Sequence, residues 1–206
     1  MRWLTASFYD FFMASTEAAC LGAWRREILS DVGGRIVEIG AGTGANIRHY
    51  PQAISELIAC EPDDFMRQRL EAQMSDWGGK GQVLAAPGEA LPIESGSMDF
   101  VVSTLVCCTV ASPENTLSEA FRVLKPGGHL VFLEHVAAIG NPGRLKWQKR
   151  IEPLWKLVAG NCHLTRPTVE TIHDAGFILG EVTRASMRKA PPFVRPTARG
   201  WATKPT

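Results

Sequence analysis

Val37-Glu38-Ile39-Gly40-Ala41-Gly42-Thr43-Gly44 is the most informative stretch of the chain. The short apolar run from Arg35 to Ile39 reads as a buried strand, and it enters three glycines that alternate with small residues. Glycine takes positive φ freely and lets backbone approach a ligand closely. A helix is expected from this turn to about Tyr50, where Pro51 stops it. The N-terminus of that helix would offer free N–H groups to a carboxylate.

On the N-terminal side, Leu4 to Leu29 has helical spacing. Phe8, Phe11, Phe12, Ala18, Leu21 and Ile28 share one broad apolar face, and Asp31-Val32-Gly33-Gly34 ends the helix. On the C-terminal side, Leu57 to Cys60, Gln82 to Ala85, Asp99 to Leu105 and His129 to Leu133 read as further buried strands. Helices are expected over Asp63 to Met74 and Glu114 to Leu124, the second closed by Lys125-Pro126-Gly127-Gly128. Buried strands alternating with amphipathic helices predict a parallel sheet covered on both faces. Beyond it, Arg144 to Val158 reads as a helix that Pro153 can kink, with Leu145, Ile151, Leu154, Trp155 and Val158 as its apolar contacts. Asn161 to Arg166 is a polar loop, and Pro167 to Ala175 a short helix with proline at its first position. Phe177 to Met187 and Arg199 to Lys204 read as closing strands, with Pro191, Pro192 and Pro196 in the loop between them.

The glycine turn alone fits a dinucleotide, S-adenosylmethionine (SAM) or no ligand at all. Three details favour SAM. The spacing is Gly-x-Gly-x-Gly rather than Gly-x-Gly-x-x-Gly. Glu38 precedes the turn, where it repels a pyrophosphate but tolerates an ammonium group. Glu61 ends the second strand, where a carboxylate can accept both ribose hydroxyls.

VEIGAGTG, Glu61 within ACEPDDFM, GEALPIESGSMDFVVS and FRVLKPGG occur in order over residues 35–135. Together they resemble the class I SAM-dependent methyltransferases of the type 11-like kind. The resemblance implies a Rossmann-like, seven-stranded, mostly parallel α/β sheet with its last strand antiparallel. It implies that Gly40, Gly42 and Gly44 hold the methionine part, with Glu38, Ala41 and Thr43 beside them. Glu61 would hold the ribose, next to Pro62, and Met66 would pack near the adenine. Gly88 and Glu89 would flank the adenine edge, and Leu105 the sulfonium end. Many relatives have an Asp before the Ala-Leu-Pro segment, where this chain has Pro87, so Glu89 or local backbone must meet the adenine amine.

A narrower similarity, over residues 35–200, is to the small alkyl-thiol S-methyltransferases, whose animal members carry a membrane anchor. It rests on GTGANIRHYP, STLVCCTV, FLEHVAA and WQKRIEPLWKLVAGNCHLTR. The N-terminus departs from those members, reading as a mixed amphipathic helix rather than an anchor. A thiol acceptor is favoured, with S-adenosylhomocysteine as the second product. An O-, N- or C-methyltransferase of a quinone, phospholipid or secondary metabolite, a non-catalytic SAM-binding module, and a nicotinamide-dependent oxidoreductase are the rivals.

The acceptor chemistry points to particular residues. A thiol becomes strongly nucleophilic when ionised. His135 follows the fifth strand, at the sheet end where ligands bind; it reads either as the catalytic proton acceptor or as a structural strand-end histidine. Asn161, His163 and Arg166 are candidates to line the acceptor pocket, Arg166 supplying positive potential. Tyr9 and Phe12 are candidate lid residues. Cys107, Cys108 and Cys162 stand near the expected transfer point, either as packing residues or as a three-thiol pocket for a soft metalloid; packing is favoured, and no bound metal is expected. Cys60 reads as core.

Composition bounds the rest. The chain has 206 residues, 45% of them apolar, and a formal charge of +1. One domain is expected: a lid helix over 1–30, a cofactor core over 35–135, and acceptor-side helices and closing strands over 140–206. The near-neutral charge gives no field directed at nucleic acid. Five cysteines without a C-x-x-C pair argue for reduced thiols and a cytoplasmic location. No apolar run is long enough to span a bilayer, and the N-terminus does not read as a secretory signal. Basic residues with Trp147 and Trp155 on the helix from Arg144 leave peripheral membrane contact open, although a solvated helix is favoured. A monomer or dimer working on a small molecule is expected.

Overall fold

The computed structural model describes residues 13–206. Seven strands form one sheet: β1 (Arg35–Ile39), β2 (Glu56–Cys60), β3 (Gly81–Leu84), β4 (Met98–Thr104), β5 (Leu124–His135), β6 (Ile178–Ser186) and β7 (Pro196–Thr203). Their order is β3-β2-β1-β4-β5-β7-β6. β1 to β5 pair in parallel, while β7 runs antiparallel to both β5 and β6. This is the expected Rossmann-like arrangement.

The central strands are buried because both faces are covered. Val37, Ile39, Val101, Leu130 and Phe132 face one core, closed by Leu117, Ala120 and Val123 of α3 (Pro113–Val123) and by Val169 and Ile172 of α5 (Thr168–Asp174). Ile36, Val102, Val131 and Leu133 face the other, under Leu21, Ile28 and Leu29 of the N-terminal helix and Leu70 and Met74 of α2 (Asp64–Trp77). The alternation along each strand is the period-two signature of a pleated sheet.

Several expectations need correction. The chain is helical from residue 13 to residue 29, through a π-turn at Glu17–Leu21 into α1 (Gly22–Leu29). A π-turn carries an extra residue, which rotates the buried face. Ala18 is therefore exposed, while Arg25 is buried. The helix expected after the glycine turn reduces to one 3-10 turn, Ile47–His49. Gly42 and Gly44 have positive φ, and Tyr50 before Pro51 is extended, so no α-helix can propagate between them. Lys125-Pro126-Gly127-Gly128 does not separate helix from strand: β5 begins at Leu124, and a register shift opposite Met98 and Phe100 absorbs the extra residues. Pro167 caps α5 rather than opening it. Pro196 begins β7 instead of lying in the preceding loop.

α4 (Pro142–Val158) also differs from expectation. Leu154 and Val158 are exposed, as are Trp147 and Leu157, and Gln148 is its buried residue. Polar anchors hold this helix: Gln148 Oε1 accepts from Ala138 N, and Gln148 Nε2 donates to the carbonyls of Val136 and Phe193. No helix among the described residues is long and apolar enough to cross a membrane.

Candidate active site

Because β1 to β5 are parallel, the residues that follow them gather at one edge of the sheet, the place where open α/β sheets bind ligands. After β1, Gly40 and Gly42 have φ 59° and Gly44 has φ 92°. A Cβ on Gly40 would lie 2.8 Å from Val106 Cγ2, so Gly40 is required by close packing within the protein. Among the described residues a Cβ on Gly42 would meet nothing within 4 Å. The turn therefore leaves open space at Gly42, where a ligand can press against bare backbone. Ala41 N donates to Cys60 O at 3.0 Å, tying the turn to β2.

Glu61 follows β2. Its Oε2 accepts from Gly42 N and its Oε1 from Asp63 N, both at 2.9 Å. Burial pushes this carboxyl up, and the two N–H donors work against that. Each oxygen keeps a further lone pair for a hydroxyl. The glycine turn and the acidic residue are thus one hydrogen-bonded unit. Met66 stands half-buried in the first turn of α2, which Asp63 caps, and Pro62 is exposed. Gly88 is buried where a Cβ would meet Ile39 Cγ2 at 2.7 Å.

Behind the turn lies a polar network. Glu38 is 1% exposed and accepts from Asn46 Nδ2 at 2.9 Å and Tyr50 Oη at 2.8 Å. Burial raises its carboxyl to about 7. Arg25 donates to Asn46 Oδ1 and Thr104 Oγ1, and pairs with Glu17 at 2.9 Å. This network pins α1, the turn and the end of β4 together. Glu38 is thereby directed inward, into the scaffold of the crevice.

At the ends of β4 and β5, Leu105 adopts φ 60°, and its N donates to Leu133 O at 2.8 Å. A non-glycine residue held there stores strain, a feature that clusters at functional sites. Glu134, fully buried, fixes the loop beyond: it accepts from Ser103 Oγ at 2.7 Å, Val106 N at 3.2 Å and Cys107 N at 3.1 Å. Arg166 Nη1 donates to the carbonyls of Cys107 and Val110 at 2.5 and 2.8 Å, so its guanidinium braces the same loop.

Cys108 of that loop and His135, the last residue of β5, lie together, each nearly fully buried, with half-buried Cys162 beside them. Among the described residues neither ring nitrogen of His135 has a hydrogen-bond partner. The neighbouring Cys162 thiol, then burial, pushes Cys108 well up, with the facing His135 imidazole working against this, and the Cys108 thiol lowers Cys162. Cys107 points elsewhere, its Sγ 3.7 Å from Ser103 Oγ. His163 N donates to Cys108 O at 2.7 Å, and Glu152 accepts from Leu164 N and Thr165 N, securing the loop that carries Cys162. Burial lowers the His163 imidazole, with Glu152 Oε1 3.6 Å away.

The methyltransferase-domain family matches residues 37–132. The chain is 35% identical to thiol S-methyltransferase TMT1B of Homo sapiens over 92% of its own length and 81% of that protein. Thiol S-methyltransferase TMT1A of Homo sapiens is 29% identical over 98% of this chain and 88% of that one. The chain belongs to this methyltransferase family. A solved SAM-dependent methyltransferase from Thermotoga maritima shares the fold of this methyltransferase, with a TM-score of 0.69 at 21% identity, covering 98% of this chain and 97% of the other.

The methyltransferase thus gathers most of the residues marked from sequence at one sheet edge, with different tasks for some. Glu89 Oε1 accepts from Ala111 N and Ser112 N, so it buttresses the approach to α3. Asn161 is exposed, at φ 68°, and donates to Thr109 O. Tyr9 and Phe12 lie outside the described residues. Sequence reading missed Arg25, Asn46, Ser103, Thr104, Glu134, Gln148 and Glu152. Glu134 carried a signal: a carboxylate ending an apolar strand must be hydrogen-bonded if buried.

Proposed function

We propose that this methyltransferase moves the methyl group of SAM to the sulfur of a small, apolar thiol. The open backbone at Gly42, joined to the Glu61 carboxylate, fits the donor. Gly40, Ala41, Gly42, Thr43 and Gly44 would hold its amino-acid part, Glu61 with Pro62 its ribose, and Met66, Gly88 and Glu89 its adenine. Leu105 would face the sulfonium end. When bound, SAM supplies an electrophilic methyl carbon, displaced in line with inversion, and S-adenosylhomocysteine leaves.

The single observation that carries the acceptor reading is the buried His135, set beside the Cys108 and Cys162 thiols with neither ring nitrogen hydrogen-bonded among the described residues. The thiol S-methyltransferase names of the human relatives support it. His135 and Cys108 are buried away from water, and such surroundings suit an apolar thiol and favour a positioned nucleophile over a solvated one. His135 would stand next to the acceptor sulfur and take its proton. Arg166, Asn161 and His163 shape the loop over it. A cytoplasmic protein with reduced thiols suits this chemistry.

A panel of a small alkyl thiol, a phenol, a quinol and an ethanolamine lipid, with labelled SAM and mass-spectrometric products, tests the reading. Thiol methylation is expected, and His135→Ala should lower its turnover much more than SAM affinity. Turnover of the other acceptors without the thiol would refute S-methylation.

A further inference from the structure

Cys108, His135 and Cys162 come from three separate segments: the loop after β4, the end of β5 and the loop after α4. Their ligand atoms all lie within 4.8 Å of one another. A zinc ion with thiolate sulfur at about 2.3 Å and imidazole nitrogen at about 2.0–2.1 Å separates such ligands by about 3.5–3.8 Å. Small side-chain rotations close that difference. The histidine supplies an independent sign: it is 2% exposed, yet among the described residues neither ring nitrogen makes a hydrogen bond of ordinary geometry, and the group it faces is the Cys108 thiol. Buried imidazoles are ordinarily satisfied, so an orphan of this kind calls for a missing group. Its neighbour Glu134 does not satisfy it, since that carboxylate is held by Ser103, Val106 and Cys107.

The donor set selects the ligand. Two sulfurs and one imidazole suit zinc and exclude the hard, oxygen-seeking cations. A three-sulfur pocket for a trivalent metalloid does not form here, because Cys107 Sγ turns to Ser103. The surrounding backbone is fixed at both approaches, by Glu134 and Arg166 below Cys108 and by Glu152 beside Cys162. Zinc held by three protein ligands keeps one position open, the arrangement of catalytic rather than structural sites.

We propose that Cys108, His135 and Cys162 bind a zinc ion whose fourth position takes the sulfur of the acceptor thiol. The second half of this rests on the S-methylation reading. A thiol entering the site gives its S–H proton to solvent and a sulfur lone pair to the zinc, which keeps it as thiolate at neutral pH. His135 then acts as a ligand rather than as a free base.

The test uses the full chain, reduced, stripped with a chelator, and titrated with zinc against a chromophoric competitor and with cobalt(II). One zinc per chain is expected. The cobalt form should show the visible bands of a tetrahedral site and a thiolate-to-cobalt charge-transfer band, which Cys108→Ser and Cys162→Ser each reduce by about half. Cys20→Ser, in the opposite core, should leave the band intact; circular dichroism reports folding of each variant. Adding an alkyl thiol to the cobalt form should raise the charge-transfer band. No zinc uptake by folded protein, or uptake that survives the Cys108→Ser/Cys162→Ser double variant, overturns the site. So does a resting Cys108–Cys162 disulfide with no zinc uptake after reduction. Zinc uptake without thiol turnover removes S-methylation and leaves the metal site. Thiol turnover undiminished in zinc-free protein removes the fourth-position role alone.

Discussion

Replacing Gly42 separates the cost of a backbone conformation from the cost of a blocked crevice. At φ 59° an L side chain is strained, by about 1–2 kcal/mol. Among the described residues nothing lies within 4 Å of the added Cβ, so against them that strain is the folding penalty of Gly42→Ala. In a chain of this size it should lower Tm by roughly 2–8 °C. The methyl enters the space assigned to the donor, and overpacking by one methyl costs about 1–3 kcal/mol. Affinity for SAM and S-adenosylhomocysteine should therefore fall by about 5- to 150-fold. Gly42→Val, with its branched Cβ, should abolish binding. Gly40→Ala is the contrast: the same φ, plus a Cβ 2.8 Å from Val106 Cγ2, should cost more in Tm than Gly42→Ala. Thermal melts paired with titration calorimetry read both quantities. A folded Gly42→Ala protein that binds both nucleosides with wild-type Kd would refute the placement of the donor.

Three further outcomes follow from the same geometry. Glu38 titrates near 7 in the fold against 4.5 ordinarily, so the native state holds the extra proton between those values; stability should decline as pH rises from about 4.5 through 7, and Glu38→Gln should flatten that decline in melts run from pH 5 to 8. Glu134→Ala would strand the Ser103 hydroxyl and two backbone N–H groups, at about 1–3 kcal/mol each, and urea unfolding should register a loss of at least about 3 kcal/mol. The exposed Trp147, Leu154, Leu157 and Val158 on α4, beside its basic residues, should bring the protein down with anionic liposomes at low salt; Leu157→Glu should weaken this, and wild-type protein left in the supernatant contradicts it.

The places of the strands along the chain and the end of the sheet that carries the site were legible because they rest on local signals, while the seven-stranded sheet came from the family resemblance. Arg35–Ile39, Glu56–Cys60 and Met98–Thr104 are apolar runs bounded by turn residues, and glycines at 40, 42 and 44 demand a turn whatever surrounds it. What escaped depends on pairs distant in sequence. Arg25 looks like one more surface cation until a π-turn rotates it toward Asn46 and Thr104. Leu154 and Val158 look like core contacts because spacing reports a helix face, not whether another element covers it. Cys108 and Cys162 are over fifty residues apart, and only the folded loops bring both to His135 while turning Cys107 away.

Among the described strands β6 pairs with the sheet through β7 alone, so β6 and β7 form a hairpin laid along the side of β5. Its tip reaches both flanks of the molecule. Arg188 bonds Cys20 Sγ and the Ala19 carbonyl on one side, and Phe193 O receives Gln148 on the other. Through these contacts the hairpin holds both the N-terminal helix and α4, so loosening it should free the two helices together.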